Sequence, residues 1–292
     1  MDVPKGGIAF FDSGIGGLTV LAECKKYIST QNFYYYGDNA RAPYGNLPIN
    51  LIKRYVFDAF DIFQDLEVSA AVIACNTVTA VCVDDLRRRY SFPIIGTEPA
   101  VQLAAKQIEG EVYVLTTRAT YESERFQSLC LRMQKLYPLA QLRLYACDGL
   151  AGAIEHCLGR EGGDFTSFLP KGKPSAVVLG CTHYIYIGQQ IENYYACPTY
   201  DGNRGIALRL RALCGQNDHN KMQNWETKPP TDFSSETLEI LTTHNPLQVK
   251  EINTNKCSWL SLPKDFENGG QTFFLGSGKM RNQTVYKHMF GF

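Results

Sequence analysis

The 292-residue chain has no C-x-x-C pair among its ten cysteines. Zinc ribbons and thioredoxin-type redox sites lose their most specific signature with it. It has no net charge, since 29 Lys and Arg balance 29 Asp and Glu. No general field therefore draws it to nucleic acid or to an anionic membrane, although a local patch remains open. No window approaches ~20 uninterrupted apolar residues, which argues against a spanning helix. The opening MDVPKGGIAFFDSG lacks a long apolar stretch with a small-residue cleavage site, so the expected location is the cytoplasm. Both phosphate-loop signatures also fail. A G-x-G-x-x-G fingerprint from Gly14 meets Thr19 at its third glycine, and one from Gly16 meets Leu18 at its second. The late Gly276-Ser277-Gly278-Lys279 has Phe273 in the first-glycine position and Met280 after the lysine, so it is not a P-loop.

What is present is an ordinary globular composition, 45% apolar and 20% charged, with length for roughly two domains of about 150 residues. In a long chain without an export signal, reduced thiols are the default rather than a disulfide framework. Short apolar runs at Ile8–Phe11, Phe33–Tyr36, Ala70–Ala74, Phe92–Ile95, Val112–Thr116, Leu142–Tyr145 and Ala176–Leu179 read as strands. Between the second and third, Ile49, Ile52, Val56, Phe63 and Leu66 fall on one helical face. Further helices are expected after Glu98, Thr120 and Tyr184. Strands alternating with helices predict an α/β class with mostly parallel, buried sheets. Gln216–Ser235, with Pro229-Pro230, reads as a polar surface loop or linker, and Leu238–Leu260 as strand then helix. Asn282-Gln283-Thr284 is formally a glycosylation sequon, without meaning in a cytosolic protein.

In parallel sheets, functional groups gather where strands end and helices begin. Four such junctions are unusually polar or glycine-rich: Asp12 to Gly17, Gly37-Asp38-Asn39 through Pro43-Tyr44-Gly45, Cys75-Asn76-Thr77, and Gly180-Cys181-Thr182-His183. The last two form an internal repeat. Each is an apolar strand, a small residue, a cysteine, then hydrogen-bonding side chains that open a helix. A strand-end cysteine is ordinarily a small core residue. Two in equivalent positions suggest chemistry, because free N–H groups and the helix dipole can lower a thiol pKa from ~8.5 toward 7. One ionised and one protonated thiol facing a cleft could act as opposed base and acid. Gly14, Gly16 and Gly17 either form a tight turn or let backbone N–H groups approach a small anion such as a carboxylate.

Taken together, these four motifs resemble the glutamate racemases of the cofactor-independent aspartate/glutamate racemase superfamily. The likeness runs in order from about Ile8 to Leu213. It resumes more loosely over Leu238–Leu260, where Leu241-Thr242-Thr243 resembles the family's last strand. The resemblance implies two similar α/β domains, with mostly parallel sheets flanked by helices and the active site in the cleft between them. The corresponding division is 1–97 for the first domain, 98–206 for the second, 207–262 returning to the first, and a C-terminal extension, 263–292, of unknown role. It implies interconversion of L- and D-glutamate without pyridoxal phosphate, metal or nucleotide, the D-isomer serving peptidoglycan, and a homodimeric assembly.

By motif position, Cys75 and Cys181 are the paired acid/base residues, assisted by Asp12 and His183. Ser13, Pro43, Tyr44, Gly45, Asn76, Thr77, Thr117, Thr120 and Thr182 line the substrate site. The bland reading of these hydroxyls, as helix N-caps, stands beside that one. Glu155 matches an auxiliary acidic residue of relatives only weakly, and an ordinary helix-surface glutamate is the competing reading. Ile185 replaces a proline common in the family. The open alternatives are an aspartate or other amino-acid racemase, a non-catalytic small-ligand-binding protein on the same fold, and a Cys/His metal enzyme. The last is disfavoured because Cys181 and His183, at i and i+2, cannot readily share one helix face if both lie in a helix.

Overall fold

The computed structural model describes residues 6–28, 32–157 and 163–214, together with the backbone of three later strands. In the first domain β1 (Ile8–Asp12) is followed by α1 (Leu18–Tyr27), β2 (Phe33–Gly37), α2 (Ile49–Asp65), β3 (Ala70–Ile73), α3 (Asn76–Arg89) and β4 (Ile94–Gly96). These strands pair in parallel in the order β4-β3-β1-β2. The second domain contains α4 (Val101–Gln107), β5 (Gly110–Thr116), α5 (Arg118–Tyr121), α6 (Glu124–Leu136), β6 (Ala140–Ala146) and α7 (Leu150–Cys157). It continues with β7 (Ala176–Gly180), α8 (Gly188–Tyr195) and β8 (Thr199–Tyr200), giving a parallel sheet in the order β6-β5-β7-β8.

The inner strands β1, β3 and β7 are buried on both faces, which is why they read as continuous apolar runs, whereas the edge strand β6 alternates, with Gln141 and Arg143 exposed. Along β1, Ala9 and Phe11 enter the core beneath α2 and α3, while Ile8 and Phe10 enter the one beneath α1. In β5, Val112 and Val114 likewise face one core, Tyr113 and Leu115 the other. The expected apolar face of α2 is present, with Ile52, Val56, Ala59, Phe60 and Phe63 buried. Ile49, on its first turn, is instead half exposed.

After β8 the chain crosses back. Helix α9 (Asn203–Leu213) packs on α1, burying Ile206, Ala207 and Leu210 in the first domain. Strand β11 (Thr272–Gly276) then pairs in parallel with β2 and antiparallel with β10 (Cys257–Ser261), which pairs with β9 (Ile252–Thr254). The C-terminal extension of unknown role therefore supplies a strand, β11, to the first sheet. The strand-then-helix reading of Leu238–Leu260 needs correction, since its described part is the strand pair β9 and β10. A short apolar run cannot by itself distinguish a buried strand from a helix turn. Leu241-Thr242-Thr243, the 216–235 linker and the sequon lie outside the described residues. No helix among the described residues is long and apolar enough to cross a membrane.

Candidate active site

The four polar junctions all lie at C-terminal strand ends, and the two domains turn these ends toward each other. Asp12 closes β1, Asp38 follows β2, Cys75 caps α3 after β3 and Cys181 follows β7, with Thr117 capping α5 after β5 beside them. Contacts across the cleft are direct. Thr182 Oγ1 donates to Asp12 Oδ2 at 3.2 Å, and the Thr77 and Thr117 hydroxyls lie 2.9 Å apart. The Tyr186 hydroxyl donates to the Ile15 carbonyl at 2.9 Å. Of the residues expected at the site, Asp12, Thr77, Thr117 and Thr182 make these contacts, Gly45 lies against Thr117, and Thr120 bonds Thr117 within its own domain. Asn76 is anchored by donation to Thr97 O, and Pro43 packs toward Gly152.

The two thiols have different surroundings. Cys75 is buried, 3.7 Å from the Ser13 hydroxyl, and burial followed by the charge of Asp12 pushes its pKa up to about 12. A hydrogen bond from the Val78 amide works the other way but is outweighed. The expected lowering at a helix start is therefore overturned for Cys75: desolvation exceeds the contribution of the helix N-terminus. It is a thiol at neutral pH. Cys181 precedes a 3-10 turn, Thr182–Ile187, rather than an α-helix. That geometry brings its Sγ to 3.8 Å from His183 Nδ1, a pairing that helical spacing would have kept apart.

His183 is the centre of a chain that runs through Glu155. The Glu155 carboxylate lies 2.5 Å from His183 Nε2, so the surface reading of this residue is wrong. Burial alone would lower the imidazole pKa, but hydrogen bonds with Cys181 and Glu155 raise it well above the usual value. On the facing side Asp12 is fully buried, and desolvation raises its carboxyl pKa against the opposing charge of His183 and the bond from the Gly14 amide.

The glycines of the β1–α1 loop are required by close approach across this cleft. A Cβ on Gly14 would sit 2.8 Å from both Glu155 carboxylate oxygens. One on Gly16 would fall 2.3 Å from Thr182 Oγ1 and 2.9 Å from His183 Nδ1. Gly16→Ala is therefore expected to destabilise the protein by about 1–3 kcal/mol through overpacking. Gly205→Ala, on α9 with open space around it, should stabilise by about 0.5–1 kcal/mol through helix propensity. Urea unfolding of the two variants checks the opposite signs.

Thr117 is the helix cap of one reading, and it also makes a contact across the cleft. Its hydroxyl accepts the Thr120 amide as a helix cap at 3.4 Å, and the same oxygen reaches Thr77 in the other domain. Among the described residues no group of three or more His, Cys, Asp or Glu side chains is placed to hold a metal ion.

Residues 35–208 match the family model of Asp/Glu/hydantoin racemases. A glutamate racemase of Clostridium novyi (strain NT) is 34% identical over 234 residues, which cover 77% of this chain and 89% of that protein. The crystal structure of Escherichia coli glutamate racemase, bound to L-glutamate and the activator UDP-MurNAc-Ala, superposes with a TM-score of 0.64 at 26% identity. That likeness covers 73% of this chain and 83% of the other. The Francisella tularensis glutamate racemase, solved with D-glutamate, gives a TM-score of 0.60 at 27% identity, over 74% of this chain and 83% of that one.

Proposed function

This chain belongs to the Asp/Glu/hydantoin racemase family, and on that premise we propose that it interconverts L- and D-glutamate by proton transfer between two thiols, supplying D-glutamate for peptidoglycan. One observation carries the mechanism: Cys75 and Cys181 stand at strand ends of facing domains, each with its own proton-handling neighbours.

On the Cys181 side, a protonated His183 donates from Nδ1 toward sulfur and from Nε2 to Glu155. Cys181 acts as the base that removes the α-proton of one enantiomer. Cys75, a thiol at neutral pH, returns a proton to the opposite face. The reverse direction needs Cys75 to ionise. An α-ammonium group arriving beside it offsets the charge of Asp12 and draws the thiol pKa down. Asp12 and Ser13 flank this second base. Tyr44, Asn76, Thr77, Thr117, Thr120 and Thr182, with the backbone at Pro43 and Gly45, hold the two carboxylates and the ammonium group. Their task is to leave only the Cα–H between the sulfurs.

The test is chiral chromatography of either enantiomer incubated with the protein in deuterium oxide, with and without added pyridoxal phosphate. Conversion toward an equal mixture, with deuterium entering the α-position and no response to the cofactor, is expected. Absence of interconversion, or a need for pyridoxal phosphate, overturns the mechanism. Faster turnover of aspartate or another amino acid overturns the substrate.

A further inference from the structure

We propose that Arg41 is a positioning residue of this site, which clamps the buried Asp38 and through it holds Tyr44 and the turn to Gly45 in their place along the cleft. The inference rests on the racemase reading above and concerns how its substrate wall is kept in shape.

Asp38 is almost wholly buried at the end of β2. Its amide donates to the Asp12 carbonyl at 3.1 Å, so it is tied to the strand that carries a proposed proton-handling residue. Arg41 Nη1 donates to both of its carboxylate oxygens, at 2.9 and 3.0 Å, and the Tyr44 hydroxyl donates to Oδ2. The Arg41 amide also donates to the Asp38 carbonyl at 3.0 Å, closing the turn. The guanidinium lies over the Tyr55 ring of α2, 4.2 Å from its centroid, and that ring neighbours Tyr44 in turn. Arg41 is thus held by charge on one side and by an aromatic face on the other.

The turn it secures is a cleft element. Gly45 approaches Thr117 so closely that a Cβ there would meet the threonine at 2.9 Å, and Pro43 faces Gly152 of α7. Without the cation, a carboxylate in the interior beside Asp12 is a strong reason for the turn to rearrange. A substrate wall that is formed only part of the time weakens apparent affinity by that fraction. Arg41 itself is 40% exposed, so its replacement removes this clamp without opening the core.

The experiment is steady-state racemisation of glutamate by wild type, Arg41→Ala, Arg41→Lys, Tyr44→Phe and the double variant Arg41→Ala/Tyr44→Phe. Arg41→Ala should raise KM about tenfold with kcat within about threefold of wild type. Arg41→Lys should recover only part of the loss, because an ammonium can meet the carboxylate oxygens but has no planar face to stack on Tyr55. Tyr44→Phe and Arg41→Ala should be less than additive, since both act through Asp38. Unchanged KM in the Arg41 variants, a fall confined to kcat, or full additivity overturns the inference. If Arg41→Ala does not fold, Arg41→Lys and its cycle with Tyr44→Phe decide it by the same criteria. A wild type that fails to interconvert glutamate refutes the functional reading, whereas an active wild type with unaltered Arg41 variants refutes only the positioning role.

Discussion

Cys75→Ala and Cys181→Ala are each expected to abolish interconversion of L- and D-glutamate, a fall in kcat of about 10³-fold or more, because each removes one of two obligatory proton-transfer groups. The isotope pattern is more discriminating than the rate. A variant with one thiol can still remove and return a proton on the face it commands. It should therefore wash deuterium into one enantiomer with retention of configuration, and the two variants should select opposite enantiomers. Both substitutions replace a small buried side chain, so a folded protein is expected, and circular dichroism is the control. Normal racemisation by either variant, or exchange of the same enantiomer by both, would show that the thiols are not on opposite faces of the substrate.

Glu155→Gln is the second large effect. Glutamine retains an oxygen that can accept from His183 Nε2, but it removes the charge that helps hold the imidazole protonated. A fall in kcat of about 10²-fold is expected, and the pH limb assigned to His183 should move to lower pH. The sign for stability follows from the raised folded pKa of His183. Its contribution is fully present below the unfolded pKa, ~6.5, and disappears as pH rises through the folded value. The melting-temperature deficit of Glu155→Gln should therefore be largest on the acid side and close as the solution becomes alkaline. A deficit that grows with pH, or an unmoved pH–rate limb, would mean that His183 is held by something other than this carboxylate.

Much of the fold was legible before any coordinates. Seven of the parallel strands follow from apolar runs, because a sheet covered on both faces puts a hydrophobic side chain at nearly every position. Helix α2 follows from its 3.6-residue stripe, with Ile52, Val56 and Phe63 buried as expected. The site was legible as motifs, since glycines and polar residues at strand ends have few structural reasons to cluster there. The region around Leu238–Leu260 was misread because local pattern does not distinguish short buried strands from helix turns. Partners such as β2 and β11 lie far apart in sequence.

The sequence by itself determined the α/β class and the two strand-end cysteines, while the family resemblance supplied Asp12 and His183 as their expected company. The first two are local properties, written in periodicity and in residue type at a junction. Only the tertiary structure decided three further things. It turned Glu155 toward His183, because Glu155 adjoins the buried Ile154 on α7 and that flank faces the β1–α1 loop rather than water. It raised the Cys75 pKa instead of lowering it, since desolvation depends on what the other domain covers. And it explained Gly14 and Gly16 as clearances for another domain's side chains. Contact across a cleft is set by how two separately folded sheets meet, and no window of sequence contains both sides of it.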